Sequence, residues 1–314
     1  MALDEHVAHL IEGMQRQGLK SFEEMTVDEG RGVVATFTGL QVPAPQIASV
    51  AEAEYTSDGT DLPLRIYTPE GPGPHPVVLY IHGGGFFAGN LDVVDEPARA
   101  TAHDTTAIVV TAGYRLAPEH KFPAATNDVW AALNWVADHI ADYNGNPGQI
   151  TIMGDSAGGN LATVTALRAR DENGPKIVAQ VLIYPVIDPS TNFPSRDEFG
   201  EGHIITAAGL DWFWEQYLSS PTDTDNPYAV PTRSGSLGGL PRTLILTTEN
   251  EVARDEAENY GEQLRAADVD TTVTRFDGLV HGVFWMSGAV PRSKEMRTAV
   301  KEFLADVNAS AIAH

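Results

Sequence analysis

The chain has 314 residues, no cysteine and a formal charge of −23, with a pI near 4.6. A chain of about 300 residues buries roughly three quarters of its unfolded surface, enough for one large α/β domain with a smaller lid. The lack of cysteine excludes disulfides, a thiol nucleophile and Cys-ligated zinc or iron–sulfur clusters, and the acidity argues against nucleic acid or an anionic membrane as a partner. No run reaches the ~18 apolar residues of a membrane span. The start, MALDEHVAHL, lacks the basic-then-apolar order of a signal peptide, which predicts a cytoplasmic protein.

In residues 1–50, Leu10, Met14, Leu19 and Phe22 are apolar among polar neighbours, a helical pattern that Pro43 and Pro45 break. Residues 51–56 and 62–67 read as two strands about the turn-forming Asp58-Gly59. From there strands and helices alternate. VVLYI (77–81) is a continuous apolar run, as in a strand buried on both faces, and AIVVTA (107–112) is a second. ITIMG (150–154), IVAQVLIY (177–184), TLILTT (243–248) and TTVTRF (271–276) complete the set. Helices are predicted over 92–103, 123–141, 157–170, 253–267 and 291–306. This alternation predicts an α/β fold: a mostly parallel sheet flanked by helices.

Residues 187–240 interrupt the rhythm with many Pro, Ser, Thr and Gly and one helix (209–218). Its Leu210, Phe213, Trp214 and Tyr217 fall at i, i+3, i+4, i+7 spacing. An insertion this long between two core strands is either a lid or a disordered segment, and its aromatic content favours an ordered lid. The aromatic stripe either lines that lid or packs in the core.

Two motifs carry chemistry. GDSAG (154–158) joins the strand ITIM to a small-residue helix, the context of a G-x-S-x-G nucleophile elbow. A side chain two positions either side of the nucleophile would strike neighbouring backbone, and Gly154 and Gly158 meet that need. Ser156 then stands exposed at a helix N-terminus, where developing negative charge is favoured. HGGGFFAG (82–89) follows the strand VVLYI, and its consecutive glycines let several N–H groups point into one cavity. An acyl-transfer enzyme needs such donors for its oxyanion, and the N–H of Ala157 would join them.

With YRLAPEHKFPAA (114–125) and GDSAGGNLA (154–162), these motifs resemble the bacterial hormone-sensitive-lipase family of α/β-hydrolase carboxylesterases, from about residue 75 onward. The resemblance implies an α/β-hydrolase fold with a helical cap. It divides the chain into an N-terminal part of the cap (1–50), core (51–186), cap insertion (187–230) and the C-terminal part of the core (231–314). It implies hydrolysis of short- to medium-chain carboxylic esters with no cofactor, and it suggests a homodimer. The sequence has no H-E-x-x-H or EF-hand loop, so no metal is expected. The family's oxyanion glycines fall on Gly83 and Gly84, with Gly85 beside them. His82, Tyr114, Arg115 and Glu119 are read as structural.

A catalytic serine needs a base, and the base an orienting acid. His281, in FDGLVHGVF, matches the family's D-G-x-x-H-G-F pattern and is expected as the base. The other histidines (His6, His9, His75, His103, His120, His139, His203 and His314) lack such a setting. Where the family shows an Asp-Pro pair, this chain has Glu251-Val252, so Glu251 is the favoured acid and Asp255 its rival. Phe86, Phe87, Trp212, Phe213, Trp214 and Tyr217 are expected to make a hydrophobic substrate pocket of limited depth. A serine esterase is the leading reading. The alternatives are a non-catalytic small-molecule binder, or an amidase or lyase on the same scaffold.

Overall fold

The computed structural model describes residues 3–190 and 192–312; His314 lies outside them. Strands β1 (Ser49–Ser57) and β2 (Thr60–Thr68) form an antiparallel hairpin about Asp58-Gly59. They are followed by β3 (His75–Ile81), β4 (Ile108–Ala112), β5 (Gly145–Asp155), β6 (Ile177–Ile183), β7 (Arg242–Asn250) and β8 (Thr271–Val280). The eight strands make one sheet in the order β1-β2-β4-β3-β5-β6-β7-β8. β2 also runs antiparallel to β4, and every later pairing is parallel. Strand β4 and Val77–Ile81 of β3 are wholly buried, as continuous apolar runs in the middle of a parallel sheet require.

The helices, in chain order, are α1 (Glu5–Arg16), α2 (Val27–Ala35), α3 (Asp95–Thr105), α4 (Ala124–His139), α5 (Ala157–Asp171), α6 (Pro194–Glu198), α7 (Ala207–Tyr217), α8 (Arg254–Ala266) and α9 (Ser293–Ile312). Capping explains the starts of the N-terminal pair. Asp4 accepts from the N–H of His6, and Thr26 and Glu29 form a reciprocal capping box on α2. The short α6 carries no periodic signal in the sequence.

Two chain-distant segments meet above the C-terminal ends of the parallel strands. Phe22, just before α2, meets Phe213 of α7 edge-on at 5.3 Å between ring centroids and Phe87 at 6.1 Å. Thr206, the N-cap of α7, donates to Glu23 at 2.9 Å. Arg31 of α2 ties this layer to the core. Its Nε donates to the carbonyl of Phe87 at 2.8 Å, and its Nη2 donates to the carbonyl of Ala117 at 3.0 Å and to Glu119 at 2.6 Å.

Strand β8 departs from the sequence reading. The predicted strand TTVTRF ends at Phe276, yet the strand runs on to Val280, with Gly278 at φ +74° and a register shift between Thr248 and Asn250 of β7. The Gly278 N–H donates to Glu249 at 2.7 Å, and Asn250 Nδ2 to the carbonyl of Leu279 at 3.3 Å. These side chains hold the bulged end of β8 against β7, so residue 281 leaves the sheet edge directly, with no long loop before it.

Candidate active site

Ser156 stands between the end of β5 and the start of α5, with φ 55° and ψ −123°. That region is costly for any residue with a side chain, and the surroundings enforce it. The Ser156 N–H donates to Ile183 of the neighbouring strand at 2.8 Å, and its carbonyl accepts from Gly159 at 2.9 Å and Val186 at 3.2 Å. A Cβ on Gly154 would lie 2.1 Å from the carbonyl oxygen of Gly158, and a Cβ on Gly158 would lie 2.1 Å from that of Ile81. Backbone cannot yield there, so both positions require glycine.

The hydroxyl of Ser156 lies 2.8 Å from Nε2 of His281, and Nδ1 of His281 lies 2.9 Å from Oε2 of Glu251. Glu251 is 1% exposed, Ser156 7% and His281 8%, so the three form one nearly dry relay that is open on the serine side. The ring of Tyr184 packs beside His281 at 4.6 Å, and its hydroxyl accepts the N–H of Phe284 at 3.2 Å. Asp255, four residues on from Glu251, points elsewhere: its carboxylate accepts from the Ser195 N–H at 2.9 Å and from Arg254 at 2.8 Å. It caps α6 and makes no contact with His281.

The glycine loop after β3 is held from below. The Gly83 N–H donates to Oδ1 of Asp155 at 3.2 Å, the same oxygen that accepts the Tyr80 hydroxyl at 2.9 Å. Tyr80 in turn accepts from Trp285 Nε1 at 3.2 Å. This corrects the expectation for Gly83, whose donor is already engaged. The N–H groups of Gly84, Gly85 and Ala157 have no acceptor among the described residues. Gly84 adopts φ +112°, and a Cβ there would lie 2.2 Å from the carbonyl oxygen of Ala88. Burial raises the pKa of Asp155 to about 7, while the donors from Tyr80 and Gly83 and the nearby His281 pull it the other way.

His82 is buried. Its Nδ1 pairs with the carbonyl of Gly83 at 2.8 Å, its ring stacks on Tyr114 at 4.4 Å, and burial lowers its pKa to about 4. It is a neutral brace for the loop. Tyr114 donates to the carbonyl of His82 at 2.9 Å. Arg115 is paired with the buried Asp128 at 2.6 Å. Arg31 beside Glu119 holds its carboxyl down to about 2.

A cavity of about 40 Å³ opens over Ser156 and His281, lined by Gly84, Gly85, Phe87, Phe213, Trp285 and Tyr184 and closed by Phe22, Phe37 and Ile204. Of the six aromatic residues expected to line it, Phe87 and Phe213 do. The other four sit elsewhere. Phe86 stacks on Tyr217 at 3.9 Å, Trp214 packs at 5.4 Å from Phe86, and Trp212 meets the far side of Phe87 edge-on at 4.9 Å. They fix α7 to the core without facing the cavity. The sequence reading missed Asp155, Tyr80, Trp285, Phe22, Phe37 and Ile204. Asp155 was legible inside GDSAG; the others had no motif to mark them.

A buried carboxylate, an imidazole and a hydroxyl in one hydrogen-bonded line, on a strand-to-helix elbow beside unengaged backbone donors, define the site of a serine hydrolase. Comparison with known proteins agrees. The alpha/beta hydrolase fold family matches residues 78–285, and the chain belongs to it, within its hormone-sensitive-lipase-like carboxylesterases. It is similar to carboxylic ester hydrolase LipN of Mycobacterium tuberculosis, 36% identical over 277 residues covering 85% of this chain and 74% of that protein. Carboxylesterase NlhH of the same organism is 40% identical over 240 residues, 75% of each chain. Among solved structures, the hyperthermophilic esterase of the archaeon Pyrobaculum calidifontis superposes with a TM-score of 0.90 at 34% identity, covering 99% of this chain and 100% of that one.

Proposed function

We propose that this chain hydrolyses small carboxylic esters through an acyl-enzyme on Ser156. The observation that carries the reading is the unbroken line from Glu251 through His281 to Ser156, at 2.9 and 2.8 Å. Nε2 of His281 takes the hydroxyl proton as Oγ of Ser156 bonds to the ester carbonyl carbon. The carbonyl oxygen becomes an oxyanion facing the N–H groups of Gly84, Gly85 and Ala157. Glu251 holds the imidazolium in place, and His281 passes the proton to the departing alkoxide as the ester C–O bond breaks. Water then attacks the acyl-enzyme by the same route and releases the acid.

The size of the site supports short acyl groups. The cavity over Ser156 is small, about 40 Å³, and walled by the rings of Phe87, Phe213 and Trp285. The complete relay argues against a non-catalytic binder, which has no need of a base hydrogen-bonded to a serine. The relatives LipN and NlhH, a carboxylic ester hydrolase and a carboxylesterase, and the Pyrobaculum esterase favour an ester over an amide.

The test is turnover of a C2–C10 acyl series of p-nitrophenyl esters by the wild type and Ser156→Ala, with matched anilides alongside. Short esters should be hydrolysed and anilides spared, with kcat falling by about 10⁴-fold or more in the variant. Faster anilide cleavage would move the activity to an amidase, and no turnover of either would return the binding reading.

A further inference from the structure

The catalytic cavity has a neighbour. A second cavity of about 160 Å³, four times the volume of the first, lies within the cap between α1, the segment after it and residues 202–206. Its floor is apolar, with Ile11, Met14, Met25 and Val33, and its rim carries Lys20, Ser21 and His203. Leu19 on the same rim is 39% exposed, one of two large apolar side chains left at the surface among the described residues. Three residues line both cavities: Phe22, Phe37 and Ile204. Phe22 and Phe37 are buried, at 7% and 6% exposure, Phe22 clamped by Phe87 and Phe213 and Phe37 edge-on to Trp285 at 6.5 Å. Ile204 is less constrained: it is half-buried and comes from the irregular segment before α7.

We infer that Phe22, Phe37 and Ile204 form a partition that sets the chain-length ceiling of the catalytic site, and that the cavity behind it is a latent subsite for an unbranched aliphatic arm. The inference rests on the esterase reading above. The physical argument is one of volume. The catalytic cavity is the smaller of the two, and a larger volume with an apolar floor lies behind these three side chains. Interiors as dense as this one do not stretch to admit extra methylenes, so a longer arm needs the partition removed. Once past it, the arm gains a floor of two methionines, an isoleucine and a valine, side chains that pack readily around a flexible chain.

The experiment is a chain-length profile on the whole protein, using acyl esters from C2 to C12 and, separately, alkyl acetates from C2 to C12, so that the arm that uses the subsite is identified. Each newly buried methylene is worth roughly fourfold in affinity, so Ile204→Ala should raise kcat/KM for C8–C10 relative to C4 by about tenfold or more in one of the two series. Phe37→Leu, which keeps an apolar side chain at the buried position, should do the same to a smaller extent. Adding Met14→Trp, which refills the second cavity from α1, should cancel the gain while C2–C4 turnover stays that of Ile204→Ala. A profile unchanged in both single variants, or a gain that Met14→Trp does not cancel, overturns the partition while leaving the esterase reading standing. If the wild type turns over none of the esters, both fall together.

Discussion

At the elbow, contact is between backbone atoms: Gly154 against Gly158, and Gly158 against Ile81, at distances no other residue tolerates. On the opposite wall of the same cavity, contact is between rings, Phe22 against Phe213 and Phe87, and Phe37 against Trp285. The first kind of constraint admits one residue type within a few positions of chain, so it leaves a motif. The second joins segments far apart and is met by many combinations of similar volume, so it leaves none. The reaction is therefore written in short stretches, and the limits on substrate are written in packing.

The sharpest way to break this contrast lies between two acids on one turn. Glu251→Ala should lower kcat by about 10³–10⁴-fold, whereas Asp255→Ala should leave it within about threefold and act on stability through the cap. Equal losses in ester assays would mean that the hydrogen-bonded line is not what drives the reaction. Next in size is Asp155→Ala, which removes the acceptor for both Gly83 and Tyr80 beneath the oxyanion loop. We expect kcat to fall about tenfold with KM little changed, less than the ~100-fold of a lost oxyanion donor, because Asp155 positions donors without touching substrate. A KM effect alone would make it a pocket residue.

Arg31 joins the two regions. Its ion pair with the exposed Glu119 is worth little, so Arg31→Ala should cost about 1–2 kcal/mol in thermal or urea unfolding, chiefly through the carbonyls of Phe87 and Ala117. Glu119→Gln should cost much less, and equal costs would place the effect in the ion pair.

A pH dependence is expected in Glu256, a fully buried acid that accepts from the Ile187 N–H at 2.7 Å and whose pKa burial raises from 4.5 to about 8. The native state thus holds a proton that the unfolded state releases, and Glu256 lowers stability progressively as pH rises from about 4.5 to about 8. Glu256→Gln does not titrate. Its stability relative to wild type should grow with pH across that window, by at most about 1.4 kcal/mol per unit, and a constant difference would show that Glu256 is ionised throughout.

The contrast also explains what was legible. The strands themselves and the elbow follow from apolar runs and glycine spacing, which are local. Glu251 could be favoured over Asp255 by alignment with a family pattern, but the reason became physical only when Asp255 was found capping α6, a helix without sequence periodicity. Gly83 looked interchangeable with Gly84 because a run of glycines does not tell which N–H is satisfied from below. The stripe Leu210, Phe213, Trp214 and Tyr217 is buried along its length, yet only Phe213 reaches the cavity. Helical periodicity marks the face that leaves water, not which part of that face meets a void.

The central claim is that Ser156 is the atom that bonds to substrate. Incubation of the wild-type protein with a p-nitrophenyl alkylphosphonate, followed by peptide mass mapping, tests it most directly. One equivalent of phosphonate on the peptide carrying residues 154–158, with p-nitrophenol released in equal amount and no labelling of Ser156→Ala, is the result expected. Label on another residue, or full labelling and ester turnover in Ser156→Ala, would contradict it.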